Sequence, residues 1–237
     1  MASKQAAGEP ITGISSMAMR DVLAELAESY ARQTGPRVTI EAVGGVDAVR
    51  RVQSGEAFDF VVLSADAIDK LAAAGHVTPG SRVDLARSGV AIAVAAGAPR
   101  PDIGGEAAVR QTVLAARSIG YSTGPSGIYL ARLFERWGIA ETIAPRIVQA
   151  RPGVPVGTLV ASGEVELGFQ QLSELMHLPG IDVVGPLPPE IQVVTVFSAA
   201  VCTTSTRPDV VKAVLSFFAS PGAAAVKRRH GMEQAAE

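Results

Sequence analysis

One cysteine, Cys202, is present in the 237 residues, so neither a disulfide nor a thiolate metal cage can form within a single chain. Aromatic residues make up 5% of the chain, and 21 basic residues are offset by 23 acidic ones, for a formal charge of −2. With neither a basic surface nor a stacking platform, nucleic acid is not an expected partner. No stretch approaches the roughly 18 consecutive apolar residues of a membrane span. The first ten residues, Met1 to Pro10, carry one lysine and no apolar signal core. The protein is therefore expected in the cytoplasm if Met1 is the natural start, and in the periplasm if an export signal was removed. His76, His177 and His230 stand far apart, at no metal-ligand spacing and in no Ser-His-Asp order, and each is expected at the surface. Gly120, Gly124 and Gly127 are spaced four then three, which is not the dinucleotide fingerprint. No cofactor and no metal are expected.

Apolar residues, by contrast, form 48% of the chain, enough for a sizeable core in one domain or in two lobes of roughly 100 residues each. Strand and helix patterns alternate, which predicts an α/β sheet protein. Strands are expected at 11–14, 37–43, 58–63, 89–96, 118–121, 143–149, 167–171 and 192–201. Between them, Leu23, Leu26, Ala27 and Tyr30 mark one helix, stopped by Gly35 and Pro36, and a short helix follows at 47–54. Asp66 is expected to cap a helix carrying Ile68 and Leu71 and ended by Gly75, and another helix is expected at 106–116. A last major helix opens at Pro208 with Val211, Val214, Leu215 and Phe218 as its apolar stripe. The proline-rich segment 176–190 reads as loop, Lys227, Arg228 and Arg229 as a solvated helix face, and Cys202 as a buried bystander.

The stretch Ser122-Thr123-Gly124-Pro125-Ser126-Gly127-Ile128-Tyr129 connects a strand to a helix whose apolar positions are Leu130, Leu133, Phe134 and Trp137. Small and hydroxyl residues there bring backbone N–H groups to a helix start, where unpaired donors and the helix dipole favour an anion. The same device recurs at Ser15-Ser16 and at Gly44-Gly45.

Those three turns, together with Ser54-Gly55-Glu56-Ala57-Phe58-Asp59 leading into Leu63-Ser64-Ala65-Asp66 and Ala161-Ser162-Gly163-Glu164 with Leu167-Gly168, occur in an order that resembles the molybdate-binding protein family, including its aconitate isomerase-like members. The likeness runs from about residue 11 to 219. It implies a type II periplasmic-binding-protein fold with two crossing strands and a ligand cleft between lobes, 10–88 with 197–237 forming lobe 1 and 89–196 forming lobe 2. The crossings are expected at 89–96 and 192–201. Carried over by position, the family's first pocket serine falls on Ala18, with Ser15 and Ser16 just upstream, and its second falls near Gly45 or Val46. Ser126, with Gly127 beside it, and Val156 match its backbone donors. Its pocket tyrosine falls on Gln171.

Because hydroxyls are missing from that set while Gln170, Gln171 and Arg151 are available, the expected ligand carries one or more carboxylates rather than being a bare oxyanion. Adjacent strand residues point to opposite faces, so one of Gln170 and Gln171 suffices for the cleft. Arg50 and Arg51 are weaker candidates. Two functions follow from the resemblance. In one, favoured by a small margin, the protein is a cofactor-independent cis/trans isomerase of the aconitate isomerase type, with Glu174 and Ser16 as the candidates for proton transfer, and with Ser16, like Ser126 and Tyr121, able to carry a proton only if the fold lowers its pKa. In the other it is the receptor of an ABC importer, delivering a small anion to a permease.

Overall fold

The computed structural model describes residues 9–34 and 36–235, so the reading of Met1 to Gly8 as lacking a signal core, and that of Gly35 as a helix stop, lie outside the described residues. The first half of the chain runs β1 (Ile11–Ser16), α1 (Arg20–Thr34), β2 (Val38–Val43), α2 (Gly45–Gln53), β3 (Phe60–Ser64), α3 (Ala65–Ala73) and the 13-residue β4 (Val83–Ala95). It continues with α4 (Glu106–Ala115), β5 (Ile119–Tyr121), α5 (Pro125–Arg136), α6 (Ala140–Ile143), β6 (Ile147–Gln149), α7 (Val156–Ala161), β7 (Leu167–Gln171) and α8 (Leu172–Leu175). β8 (Ile181–Pro186), β9 (Val194–Val201), α9 (Pro208–Ala219), α10 (Ala224–Arg229) and β10 (Glu233–Gln234) complete it.

The sheet order is β2-β1-β3-β9-β4-β7-β5-β6, with β8 and β10 pairing β4 off that path. β1 lies parallel to β2 and β3, and β5 lies parallel to β6 and β7. Between these two parallel groups sit β9 and β4, antiparallel to each other and to their neighbours. β4 pairs β9 from Val83 to Gly89 and β7 from Val90 to Ala93, so one continuous strand passes from the first group to the second. β9 makes the return passage. The result is the two-lobed α/β architecture joined by two crossing strands.

Cores lie on both faces of each parallel group, as parallel strands require. In the first lobe, α1 and α9 cover one face with Leu23, Leu26, Val211 and Phe218 around Phe60, while α2 and α3 cover the other with Val52, Ile68 and Leu71 around Val61 and Leu63. In the second, Val109, Leu130, Phe134 and Phe169 form the main cluster, and Val156 with Val160 closes the opposite face. Cys202 is buried in the first lobe. Among the described residues no single helix is long and apolar enough to cross a membrane.

Several local expectations need correction. Ser64, not Asp66, is the N-cap residue of α3, and Asp66 lies in its first turn. Residues 143–146 are helical, because Pro145 sits in the first turn of a 3-10 segment, and only Ile147–Gln149 is extended. The proline-rich stretch 176–190 contains β8, which pairs the edge of β4 and needs a bulge between Ile92 and Ala93 to do so. The basic cluster is not a uniformly solvated face. Lys227 is fully buried and its ammonium donates to Gln234 Oε1 at 2.7 Å, while Arg229 pairs with Glu25. His230 is only partly exposed, lying 2.8 Å from Glu25 with its ring edge-on to His177 at 5.2 Å.

Candidate functional site

In an open α/β sheet, ligands gather beyond the carboxyl ends of parallel strands, where the following helices begin. Four of those ends converge here. β1 ends at Ser16, β3 at Ser64, β5 at Tyr121 just before Ser122, and β7 at Gln171, and residues at all four ends line one cleft of about 810 Å³. Ser16, Gly45, Val46, Ser64 and Ala65 contribute from the first lobe; Ser122, Thr123, Gly124, Ser126 and Glu174 contribute from the second. Val193 to Phe197 of the return crossing form part of the wall.

Three helices aim their first turns into this space. Gly44, Ser64 and Gly124 are the N-cap residues of α2, α3 and α5, none of the three making a side-chain cap bond. Their first-turn N–H groups therefore have no cap acceptor, and with the helix dipoles they favour negative charge. Gly127 makes the α5 turn possible, since a Cβ there would lie 1.6 Å from the Ser122 carbonyl oxygen. Ser16 Oγ is shielded from solvent with no hydrogen-bond partner, although it stands on the cleft wall. A buried hydroxyl in that state is a donor waiting for an acceptor.

Glu174 faces the same space from α8. Burial pushes its carboxyl up to about 7, against the opposing pull of a Gln170 hydrogen bond and the Arg20 charge. The Gln170 amide is engaged at both ends: its nitrogen donates to Glu174 Oε1 at 2.7 Å, and its oxygen accepts the Val156 N–H at 2.8 Å. Gln171 points the other way. With its amide turned to satisfy both ends, its nitrogen donates to the Ser88 carbonyl at 2.9 Å and its oxygen accepts from Thr195 Oγ1 at 2.8 Å, tying β7 to both crossing strands.

Of the residues singled out from sequence, Ser16, Gly45, Val46, Ser126, Gln171 and Glu174 share the cleft. Ser15, Gly127, Arg151, Val156 and Gln170 are not on its wall. Ser15 is fully buried on the other face of β1, Gly127 packs behind its own turn, Val156 spends its N–H on Gln170, and Arg151 is exposed in the loop after β6. Arg50 pairs with Asp47, and Arg51 with Glu41 and Glu56. Tyr121 lies outside the cleft in a separate pocket beside Phe134, and burial raises its pKa rather than lowering it. Sequence reading missed Lys70, Arg132, Tyr129 and Thr195, all of which line the cleft. The spacing of Ile128 and Arg132, four apart after the helix start at Gly124, was the available signal for Arg132.

Three apolar side chains with large exposure, Val46 at 63%, Ile128 at 53% and Val194 at 51%, stand on this wall. Across the mouth the lobes touch: a Cβ at Gly44 would lie 3.1 Å from Pro152 Cβ. Among the described residues, no group of three or more His, Cys, Asp or Glu side chains could hold a metal ion.

Two α/β lobes, a double-strand connection and a cleft ringed by helix N-termini define a two-lobed ligand-binding protein. The chain belongs to the bacterial extracellular solute-binding protein family, whose pattern matches residues 11–233. It is 38% identical over 236 residues to an aconitate isomerase from Pseudomonas sp, an alignment that covers 96% of this chain and 90% of that protein. In structure it is similar to the periplasmic molybdate-binding protein of Azotobacter vinelandii, with a TM-score of 0.79 at 20% identity over 95% of this chain and 100% of that one. The sulfate-binding protein of Mycobacterium tuberculosis H37Rv superposes with a TM-score of 0.74 at 17% identity, covering 94% of this chain and 86% of that one.

Proposed function

We propose that the cleft binds a small polycarboxylate and that the protein interconverts the cis and trans forms of aconitate by proton transfer, without a cofactor. The observation that carries this reading is Glu174, a carboxyl poised near neutral pH on the wall of a cleft that otherwise favours anions. The aconitate isomerase to which the chain is 38% identical supports the choice of substrate. The exposed Val46, Ile128 and Val194 favour a ligand with a hydrocarbon skeleton over a bare tetrahedral oxyanion.

In this mechanism ionised Glu174 removes a proton from the methylene that lies between a carboxylate and the alkene. The C–H pair of electrons enters the allylic system, and the negative charge spreads into a carboxylate as an enolate. Ser16 Oγ and the first-turn N–H groups of α2 and α5 stabilise that charge. Return of the same proton from Glu174 to the far allylic carbon shifts the double bond, changes its geometry and regenerates the base.

Incubating purified protein with trans-aconitate and following the vinyl protons by NMR tests this directly. Conversion without added cofactor is expected, and Glu174→Gln is expected to lower kcat/KM by about 10² to 10⁴-fold, the range of a lost general base.

The second reading is the receptor of an ABC importer for the same class of anion. It is favoured by the family and by the build of two lobes joined by two crossing strands, which can close on a ligand by hinge motion. Tight binding of a polycarboxylate with no turnover, together with recovery of the protein from outside the cytoplasmic membrane on cell fractionation, would select it.

A further inference from the structure

Four charged side chains line the cleft: Asp66 and Lys70 on α3, Arg132 on α5, and Glu174 on α8. Glu174 is partly protonated near neutral pH because burial raises its pKa to about 7. Asp66 and Lys70 are four apart on one helix and share a face, yet no ion pair joins them among the described residues. Elsewhere in the molecule cations are mostly engaged. Arg51, Arg82 and Arg207 are held by carboxylates, and Arg100 and Arg146 by backbone carbonyls. Lys70 and Arg132 have neither kind of partner among the described residues. Arg37, Arg151 and Arg228 are also free in this sense, but none of them lines the cleft.

The two free cations belong to different lobes. Lys70 stands on α3, beyond the helix start at Ser64 and Ala65; Arg132 stands on α5, beyond the helix start at Gly124 to Ser126. Each is therefore farther from the strand ends than the N–H groups that receive the first anionic group. Ile128 lies one helical turn before Arg132 on the same face, placing an apolar contact between that first subsite and the guanidinium. A carboxylate carried into a closing cleft needs a cation or donors to replace its water. The helix starts supply donors for one such group, and Lys70 and Arg132 supply charge for others.

We propose that Lys70 and Arg132 form a clamp between the lobes that holds separate carboxylates of one ligand, so that the protein selects anions with at least two carboxylates spaced along a short carbon chain. The clamp rests on the reading of the cleft as a carboxylate site. Arg132 offers a planar two-point fork and Lys70 a swivelling point charge, so the ligand's geometry is fixed mainly from the second lobe. Binding also draws the lobes together, because the charges of one molecule are shared between them.

The test is titration calorimetry with tricarballylate, a saturated tricarboxylate that cannot isomerise, and with butyrate and molybdate as controls. The proteins are the unaltered chain, Lys70→Gln, Arg132→Gln, Arg132→Lys and Arg228→Gln. Because both cations are exposed, the variants are expected to melt as the unaltered protein does. Tricarballylate affinity is expected to fall about 10- to 100-fold in each of the two glutamine variants, the usual loss for a hydrogen bond to a charged group. Arg132→Lys should recover part of it, Arg228→Gln should match the unaltered chain, and butyrate should bind all forms equally weakly. If tricarballylate binds the unaltered chain and either glutamine variant retains its affinity, the clamp is overturned while the carboxylate site stands. If molybdate binds and tricarballylate does not, the carboxylate reading itself is lost.

Discussion

Glu174 and Lys227 are both titratable groups that burial shifts toward the neutral form, upward for the acid and downward for the base. For Glu174 the folded value near 7 lies above the ordinary 4.5, so between those values the native state holds a proton that the unfolded chain has lost. Stability from this group therefore falls as pH rises through that window. Activity should run the other way. Since the base form reacts, kcat/KM for aconitate is expected to rise with pH through about 7, and a profile flat across that range would remove Glu174 from the mechanism. For Lys227 the folded value near 8 lies below 10.5, so the cost of burying the ammonium is fully present below pH 8 and is relieved between the two values as pH rises. Lys227→Met keeps the buried stem and removes the charge. It should leave the protein as stable or more so at pH 7 and abolish the rise in stability above pH 8, as read from urea denaturation at several pH values.

At the scale of elements, function depends on strand ends that pass directly into helix starts. The turn into α5 is the tightest of them. Gly127 is needed there for space, because any Cβ would collide with the Ser122 carbonyl oxygen at 1.6 Å. Gly127→Ala must move that carbonyl and with it Thr123, Gly124 and Ser126. A loss of about 1 to 3 kcal/mol in thermal or chemical denaturation is expected, together with weakened anion binding. A fully stable variant with unchanged affinity would show that the turn can open without consequence. The helix starts were legible in the sequence because Gly, Ser and Pro mark them locally. β8 was not, because its prolines and glycines read as loop and only the exposed edge of β4 gives it a partner.

For the whole molecule, the path of β4 and β9 between the lobes places the mouth of the cleft opposite the crossing strands, and there Gly44 meets the Pro152-Gly153 turn. A Cβ at Gly44 would lie 3.1 Å from Pro152 Cβ and 3.2 Å from the Gly153 nitrogen, so a branched side chain acts as a wedge. Gly44→Val is expected to weaken ligand binding and to hold the lobes apart, so that the liganded form seen by small-angle X-ray scattering stays more open than that of the unaltered chain. An equally compact liganded form in both proteins would place closure elsewhere.

Sequence alone determined the α/β alternation, the two long crossing segments and the helix starts suited to anions, because periodicity, β-branching and turn chemistry act over a few residues. It also placed Ser16, Ser126 and Glu174 among the candidates. Only the tertiary structure decided which candidates share a wall. It set Gln170 to holding Glu174, Gln171 to joining the crossing strands and Arg151 to solvent, and it brought in Lys70 and Arg132, which no local pattern had joined. The physical reason is that a charge near a ligand and a charge near water look alike along a chain. They differ in what the other lobe places opposite them, and that is fixed when β4 and β9 carry the two halves together.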